Sequence, residues 1–158
     1  MRIPHLVIWT LSLMLLAGCV ETPVDITPTA DLSVYVEDIN GTSISDARVY
    51  IFDTEAAYNV YVGQNPDGSS SITPSLSPTN IGVTDGGGLT VFVNFPLDGT
   101  SFASGSTFIH RPRPLYLRVE GIGPLGTPAT NDDDVKKITF PELESGDAIT
   151  QDITIIIK

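Results

Sequence analysis

The sequence predicts an all-β domain, a single sandwich of seven or eight short strands that follows a cleaved signal peptide. Short segments in which apolar and polar residues alternate recur along the chain, and this period is typical of half-buried strands. The 158 residues include 14 Gly and 12 Pro, which favour turns between such segments. No ten-residue window shows a convincing helical stripe of apolar residues with caps. Short strands separated by frequent turns are typical of a sandwich.

The first predicted strand covers residues 31–38, where apolar residues occupy every second position. Asn40-Gly41 follows, a dipeptide that tolerates positive φ and turns the chain. Residues 58–62 fit another strand, although a short helix over 54–61 competes for them. The remaining predicted strands are 47–52, 89–95, 107–110, 115–120, 135–140 and 148–158. Residues predicted to face the core in the first two strands are Leu32, Val34, Val36, Ala47, Val49 and Ile51.

Two polar stretches interrupt this pattern. Residues 64–80 contain five serines and three prolines, and we expect a mobile surface loop there. A binding loop is the alternative, but aromatic residues and charge clusters are missing from the stretch. Residues 131–134, Asn-Asp-Asp-Asp, offer oxygen ligands for calcium. Calcium loops space their ligands by two positions, so a solvated turn is the preferred interpretation.

The amino-terminal segment has the parts of a secretory signal. Arg2 precedes an apolar run at 6–16, and small residues follow it. The run is too short for a membrane-spanning helix, which needs about twenty apolar residues. Leu16-Ala17-Gly18-Cys19 ends the segment and contains the single cysteine of the chain. This tetrapeptide resembles the lipobox of bacterial lipoproteins.

The lipobox resemblance implies a specific processing of the chain. Cleavage would remove residues 1–18, and acyl chains such as palmitate on Cys19 would anchor the protein to a membrane. Val20, in place of Asp, favours the outer membrane by the sorting rule of enteric bacteria. Residues 19–30 are then the lipidated cysteine and an extended tether, and residues 31–158 are the β-sandwich domain.

Two segments resemble a family of β-sandwich domains. Residues 36–49, with Asp38-Ile39-Asn40-Gly41 and Asp46-Ala47-Arg48-Val49, resemble the opening hairpin of transthyretin-like, carboxypeptidase-regulatory-like and CnaB-like domains. Residues 83–92, with Thr84-Asp85 before three glycines, resemble a later turn of the same domains. The resemblance implies an Ig-like or transthyretin-like sandwich. It says little about function, because such domains act as spacers, adhesin stalks and binding modules.

The charge balance limits the classes of partner. Acidic residues outnumber basic ones 19 to 8, which gives a formal net charge of −11. A negative field of this size repels phosphate backbones, so we expect no nucleic-acid partner. The sequence also offers no polybasic patch for anionic lipids. Because Cys19 is assigned to the lipid, cysteine-ligated zinc is excluded, and we expect neither a cofactor nor a metal.

Chemical candidates outside the lipid anchor are few. His110 is the single histidine after signal removal, and a Ser-His-Asp hydrolase would have to use it. Nothing near it resembles a nucleophile elbow, so we expect a surface residue. His110, Arg111, Arg113 and Arg118 are weak candidates for binding an anion or an acidic partner. Neutralisation by neighbouring acids is the alternative explanation of these arginines.

The sequence thus predicts a non-enzymatic lipoprotein of the cell envelope. Its sandwich would bind or assemble with another envelope protein or a glycan. Two rivals stay open: a small envelope hydrolase that uses a pair of carboxylates, and a purely structural spacer. A strand edge left uncovered would favour binding, whereas two buried acids facing each other across a cleft would favour the hydrolase.

Overall fold

The computed structural model describes residues 24–66, 78–123, 125–131 and 136–158. The predicted signal peptide, Cys19, most of the 64–80 loop and the acids at 132–134 lie outside these ranges. Within them the chain forms strands and one short helix, which confirms the all-β class. The described strands number eleven rather than the seven or eight expected.

The elements are, in chain order, β1 (Thr29–Asp38), β2 (Arg48–Phe52), α1 (Glu55–Gln64), β3 (Asn80–Val83), β4 (Leu89–Pro96), β5 (Gly99–Ser104), β6 (Thr107–Pro112), β7 (Leu115–Ile122), β8 (Pro128–Thr130), β9 (Lys136–Ile138), β10 (Leu143–Glu144) and β11 (Ala148–Ile157). The first strand begins at Thr29, so the last two residues of the predicted tether belong to the sheet.

The described strands form three sheets. Sheet A has the order β11-β1-β4, and its first and last strands in the sequence, β1 and β11, pair in parallel over ten positions. Sheet B has the order β3-β2-β7-β8, with β9 also paired to β7. Sheet C has the order β10-β6-β5. The alternation of β1 is confirmed, and its apolar face lies in the main core. Val49 and Ile51 of β2 face the same core as predicted, but Tyr50 and Phe52 on the opposite face of β2 are buried as well.

That main core contains residues from the facing sides of sheets A and B. Side chains of β1, β2, β7 and β11 dominate it, and most of them are completely buried. Burial of apolar surface contributes about 25 cal/mol per Å², so this layer is the main source of stability. Its largest members are Leu32, Val34, Val36, Val49, Ile51, Phe92, Phe95, Leu97, Leu117, Val119, Ile153, Ile155 and Ile157.

Helix α1 covers the other face of sheet B. Thr54 caps it, since the Thr54 hydroxyl accepts a hydrogen bond from the Ala57 N–H. Tyr58 and Tyr61 lie three residues apart and pack on Tyr50, Phe52 and Tyr116. The strand expected at 58–62 was therefore wrong, and the competing helix over 54–61 is the one that forms, as Glu55–Gln64. The helix shows little apolar periodicity, and its burial comes from aromatic contacts with the sheet.

Several strand assignments also differ from the sequence prediction. Residues 99–104 were expected in a loop, but they form β5, which makes a hairpin with β6. Residues 128–130 form β8 at the edge of sheet B, within a stretch also predicted as loop. After the Asn40-Gly41 turn, Ser43 forms an isolated β-bridge with Glu37 of β1. The chain then crosses from sheet A to sheet B, where β2 lies. Propensity could not reveal this crossing, because it depends on which faces are buried together.

The two predicted turns have the expected geometry. Gly41 has a φ of +78°, and the Asp38 carboxylate accepts hydrogen bonds from the N–H groups of Asn40 and Thr42. The Thr42 bond lowers the pKa of Asp38. In the second turn Gly88 has a φ of +75°, and its carbonyl accepts from the Val36 N–H at 2.8 Å. The second turn therefore holds the start of β4 against the end of β1.

The Gly88 turn generates a stability prediction. Gly88→Ala should lower the free energy of unfolding by about 1–2 kcal/mol, because a left-handed φ is strained for alanine. In addition, the new Cβ would lie 2.7 Å from the Val36 carbonyl oxygen. Urea unfolding measures the effect. Gly86→Ala is the matched control, since no atom lies within 4 Å of a Cβ there. Equal effects of the two substitutions would contradict this account of the turn.

Candidate binding edge

Strand β11 is an edge of sheet A. It pairs with β1 on one side along its whole length. On its other side, the described residues supply backbone partners only at the carboxyl-terminal end of β11. These are a bridge between Asn131 and Ile157, and a hydrogen bond from the Lys158 N–H to the Thr130 carbonyl. From Ala148 to Ile156, no described strand lies on the outer side of β11.

A polar groove runs beside this open edge. It has a volume of about 280 Å³ and lies between the edge of sheet A and the β9 side of sheet B. Lys137, Ile138 and Thr139 form one wall, and residues 151–154 of β11 form the other. The ten residues of β11 span about 33 Å at the usual rise of a strand. The edge is therefore long enough to pair with a complete additional strand.

The outer face of sheet A is continuous with this edge. In the register of the sheet, Asp31 lies beside Thr150, Tyr35 beside Thr154 and Glu37 beside Ile156. Four of its large side chains are exposed to solvent: Tyr35, Val91, Val93 and Ile156. The face thus combines acidic and apolar side chains next to the open strand.

Residues 26–28, which precede β1, lie at the end of the domain where β11 begins. The Ile26 N–H donates to the Ser145 hydroxyl at 2.6 Å, and the Gly146 N–H donates to the Ile26 carbonyl at 2.8 Å. The Leu97 N–H donates to the Pro28 carbonyl at 2.9 Å. These contacts fix residues 26–28 against the turn before β11, so the open edge extends away from this end of the domain.

An apolar pocket lies at the opposite end of β1. Its volume is about 410 Å³, and Ile39, Leu125, Ala129 and Ile157 supply its apolar lining. Leu125 is 89% exposed. Because β1 runs from Thr29 to Asp38, the pocket lies about 30 Å from the start of β1.

The four basic candidates do not form one surface patch. Arg111 is exposed, makes an ion pair with Glu142 and lies 4.9 Å from the centre of the Phe102 ring. Arg113 is exposed and lines a small pocket with Asp53 and Asp98. Neighbouring acids thus accompany both exposed arginines. His110 and Arg118 are buried instead, so the expectation that His110 is a surface residue was wrong.

Arg118 lies beneath α1 in a buried polar cluster. Its Nη1 donates to the Asn131 carbonyl at 3.2 Å, and its Nη2 donates to the Pro66 carbonyl at 2.9 Å. Its Nε lies 3.8 Å from Oε1 of Glu120. Glu120 also accepts hydrogen bonds from the Asn65 amide at 2.7 Å and the Tyr61 hydroxyl at 3.3 Å. The cluster joins the end of α1 to β7.

Burial changes the acidity of this cluster. It raises the pKa of Glu120, because the charged carboxylate loses solvation, and the Arg118 charge partly opposes that rise. Burial also raises the pKa of Tyr61. Sequence reasoning missed the cluster because residues 115–120 alternate like a half-buried strand. The Tyr58–Tyr61 spacing after Thr54 was the available signal of a helix covering that face.

The described residues were also compared with the requirements of a metal site and of a membrane-spanning helix. No group of three or more His, Cys, Asp or Glu side chains is arranged there to hold a metal ion. The one helix in these ranges is also too short and too polar to cross a membrane.

Comparison with known proteins adds no relative. No protein-family model matches the sequence, and no curated protein or solved structure is significantly similar to it. The described residues define the class of the protein as an all-β, sandwich-like domain with a long open edge strand.

The Glu120 cluster predicts how the free energy of unfolding depends on pH. Glu120→Gln keeps the shape of the side chain but cannot titrate, so the unfolding free energy of the variant should lack the pH dependence that Glu120 contributes. A raised folded-state pKa means that the folded protein binds the proton more tightly than the unfolded chain. Glu120 therefore adds stability as the pH falls through its folded-state pKa, and the glutamine variant loses this gain.

Urea unfolding of both proteins between pH 7 and pH 4.5 tests the sign of this dependence. The unfolding free energy of the wild type minus that of Glu120→Gln should increase as the pH falls. Glu144→Gln, at an exposed position, serves as the control substitution. A value that decreases toward acid pH would contradict the assignment.

Proposed function

We propose that this chain is a lipoprotein of the cell envelope whose β-sandwich is a module that binds another protein. In this proposal Cys19 carries the acyl chains, and the outer membrane is the destination. The open edge of β11 is the observation that carries the binding role. The partner would add an extended segment to sheet A beside β11.

The physical reason lies in the backbone groups of an edge strand. Such a strand presents a row of N–H and C=O groups that another strand can pair with. Soluble proteins usually protect such edges with proline, lysine, bulges or a covering loop. From Ala148 to Ile157, β11 contains neither proline nor lysine. An edge that no described strand covers from Ala148 to Ile156 supports a role in strand addition.

A protein partner is better supported than a glycan. Sugar-binding sandwiches usually stack sugars on exposed aromatic faces. Four of the five tyrosines are buried between α1 and sheet B, and Tyr35 is the exposed one. The β11 edge, in contrast, offers peptide groups along a polar groove. The resemblance of residues 36–49 and 83–92 to transthyretin-like domains also fits a binding module.

The lipid anchor is supported by the sequence around Cys19. A thioether requires a cysteine, and small residues at 17 and 18 fit a signal peptidase cleft. Each buried methylene of an acyl chain contributes about 0.8 kcal/mol, so two or three chains hold a protein durably. The tether entry beside Ser145 would then place the start of β11 toward the membrane. The apolar pocket would face away from it.

Metabolic labelling tests the anchor. Wild-type protein should incorporate a fatty-acid analogue, and Cys19→Ser should incorporate none, because serine cannot form the thioether. Mass spectrometry of the mature protein should find Cys19 as the modified first residue. An intact leader or an unmodified thiol would contradict the lipoprotein proposal.

Capture from solubilised envelopes tests the binding role. Tagged, acylated wild-type protein should enrich a protein over the Cys19→Ser background. Gln151→Lys should abolish that enrichment, because Gln151 lines the groove and a lysine there obstructs an incoming strand. Val91→Lys is the control, since it adds the same charge at an exposed position of β4, on the far side of sheet A from β11.

The outcome separates two conclusions. If wild-type protein and Val91→Lys capture the partner and Gln151→Lys does not, the β11 edge is the binding site. If Gln151→Lys captures the partner as well as wild type, the edge assignment is wrong. If wild-type protein enriches nothing, the binding role itself is wrong.

A further inference from the structure

A buried histidine is hydrogen-bonded to an exposed serine in sheet C. His110 on β6 is 4% exposed, and Ser101 lies directly opposite on β5. The Ser101 Oγ is 2.8 Å from His110 Nδ1. The other ring nitrogen, Nε2, is 2.6 Å from the Leu97 carbonyl oxygen. The proposed binding role uses neither side chain.

These partners determine the tautomer of the ring. A carbonyl oxygen can only accept a hydrogen bond, so His110 Nε2 must carry the proton that it donates to Leu97. In the neutral ring Nδ1 then has a free lone pair, and the Ser101 hydroxyl donates to it. The imidazole is thus held as a base whose accepting nitrogen faces an exposed hydroxyl.

The fold holds the ring in place on several sides. His110 pairs with Leu143 of β10 as well as with Ser101 of β5. Gly99 leaves room for the ring, because a Cβ there would lie 2.9 Å from His110 Nε2 and 2.1 Å from the Arg111 carbonyl. Position 99 therefore accepts no larger residue without displacing the histidine.

We propose that Ser101 is a nucleophile activated by His110 and that it reacts with small carboxylic esters. A nucleophile within hydrogen-bond reach of a base, with the base oriented by a third group, is the shared geometry of nucleophilic serine sites. Here the Leu97 carbonyl takes the orienting place that a carboxylate occupies in a Ser-His-Asp triad. Ser101 is exposed on a hairpin, so esters with an accessible carbonyl are the expected substrates.

The reaction balances without a further reagent except water. The Ser101 Oγ forms a bond to the ester carbonyl carbon while its proton passes to His110 Nδ1. The bond between that carbon and the alcohol oxygen breaks, and the proton on Nδ1 goes to the departing alcohol. The product is an acyl-serine ester. Water then attacks the acyl carbon while His110 Nδ1 takes its proton. The bond between that carbon and the Ser101 Oγ breaks, the proton passes from Nδ1 back to Oγ, and the carboxylic acid leaves.

Labelling with a fluorophosphonate probe tests the proposal on the purified full-length protein. The Ser101 oxygen forms a bond to phosphorus, the phosphorus–fluorine bond breaks, and fluoride leaves. Peptide mass spectrometry should find the label on Ser101. Ser101→Ala should lose it, and Ser104→Ala, an exposed serine on the same strand, should keep the wild-type rate.

The role of the base has its own readout. His110→Gln should slow labelling of Ser101 by about 100-fold or more, because general-base assistance contributes about 10²–10⁴-fold. Wild-type protein should also hydrolyse p-nitrophenyl acetate faster than Ser101→Ala does. This second comparison needs no substitution of the buried histidine, so it remains valid if His110→Gln does not fold.

Three results would overturn the proposal. They are absence of label on Ser101 in the wild type, equal labelling of Ser101 in folded His110→Gln, and equal ester hydrolysis by wild type and Ser101→Ala. Any of them would show that the hydrogen bond between Ser101 and His110 has only a structural role, which is to hold β5 against β6. The binding role of β11 would be unaffected, since the two sites share no residue.

Discussion

The position of β1 between β11 and β4 is the constraint on which the described structure depends. Because both of its sides are paired, its alternate residues are completely buried and form the centre of the main core. The parallel pair joins the first strand of the domain to its last strand. Sheet A is therefore complete only when both of these segments are present. The same arrangement leaves β11 with one unpaired side. The stability of the fold and its proposed binding edge therefore come from one pairing.

Sheet B faces a different requirement, because both of its faces are buried. One face packs on sheet A, and α1 covers the other with an aromatic layer. Covering that face also buries Arg118 and Glu120, which must then satisfy each other and the backbone around them. Such a pair costs solvation energy and adds little net stability. Its clearest structural effect is to fix the end of α1 against β7.

The sequence predicted what depends on local pattern. The alternation in 31–38, 47–52 and 148–158, and the positive φ at Gly41, all follow from neighbouring residues. It left a helix over 54–61 as an alternative to a strand and predicted no strand at 99–104. It did not predict the parallel pairing of the first and last strands, because those segments lie far apart in the sequence. The same limit applies to the sites. His110 was expected at the surface and Arg118 was a candidate for binding an anion, whereas the fold buries both. From the sequence, an uncovered strand edge could be named only as an observation that would favour binding. Whether a strand lies at an edge depends on how the whole sheet assembles.

Residue-by-residue amide hydrogen exchange of the purified protein tests the central claim most directly. Amides of β1 should exchange slowly at every position, because strands flank both of its sides. In β11, slow amides directed at β1 should alternate with fast ones that face the groove. Uniform protection of β11, equal to that of β1, would mean that another strand already occupies the edge and would contradict the account.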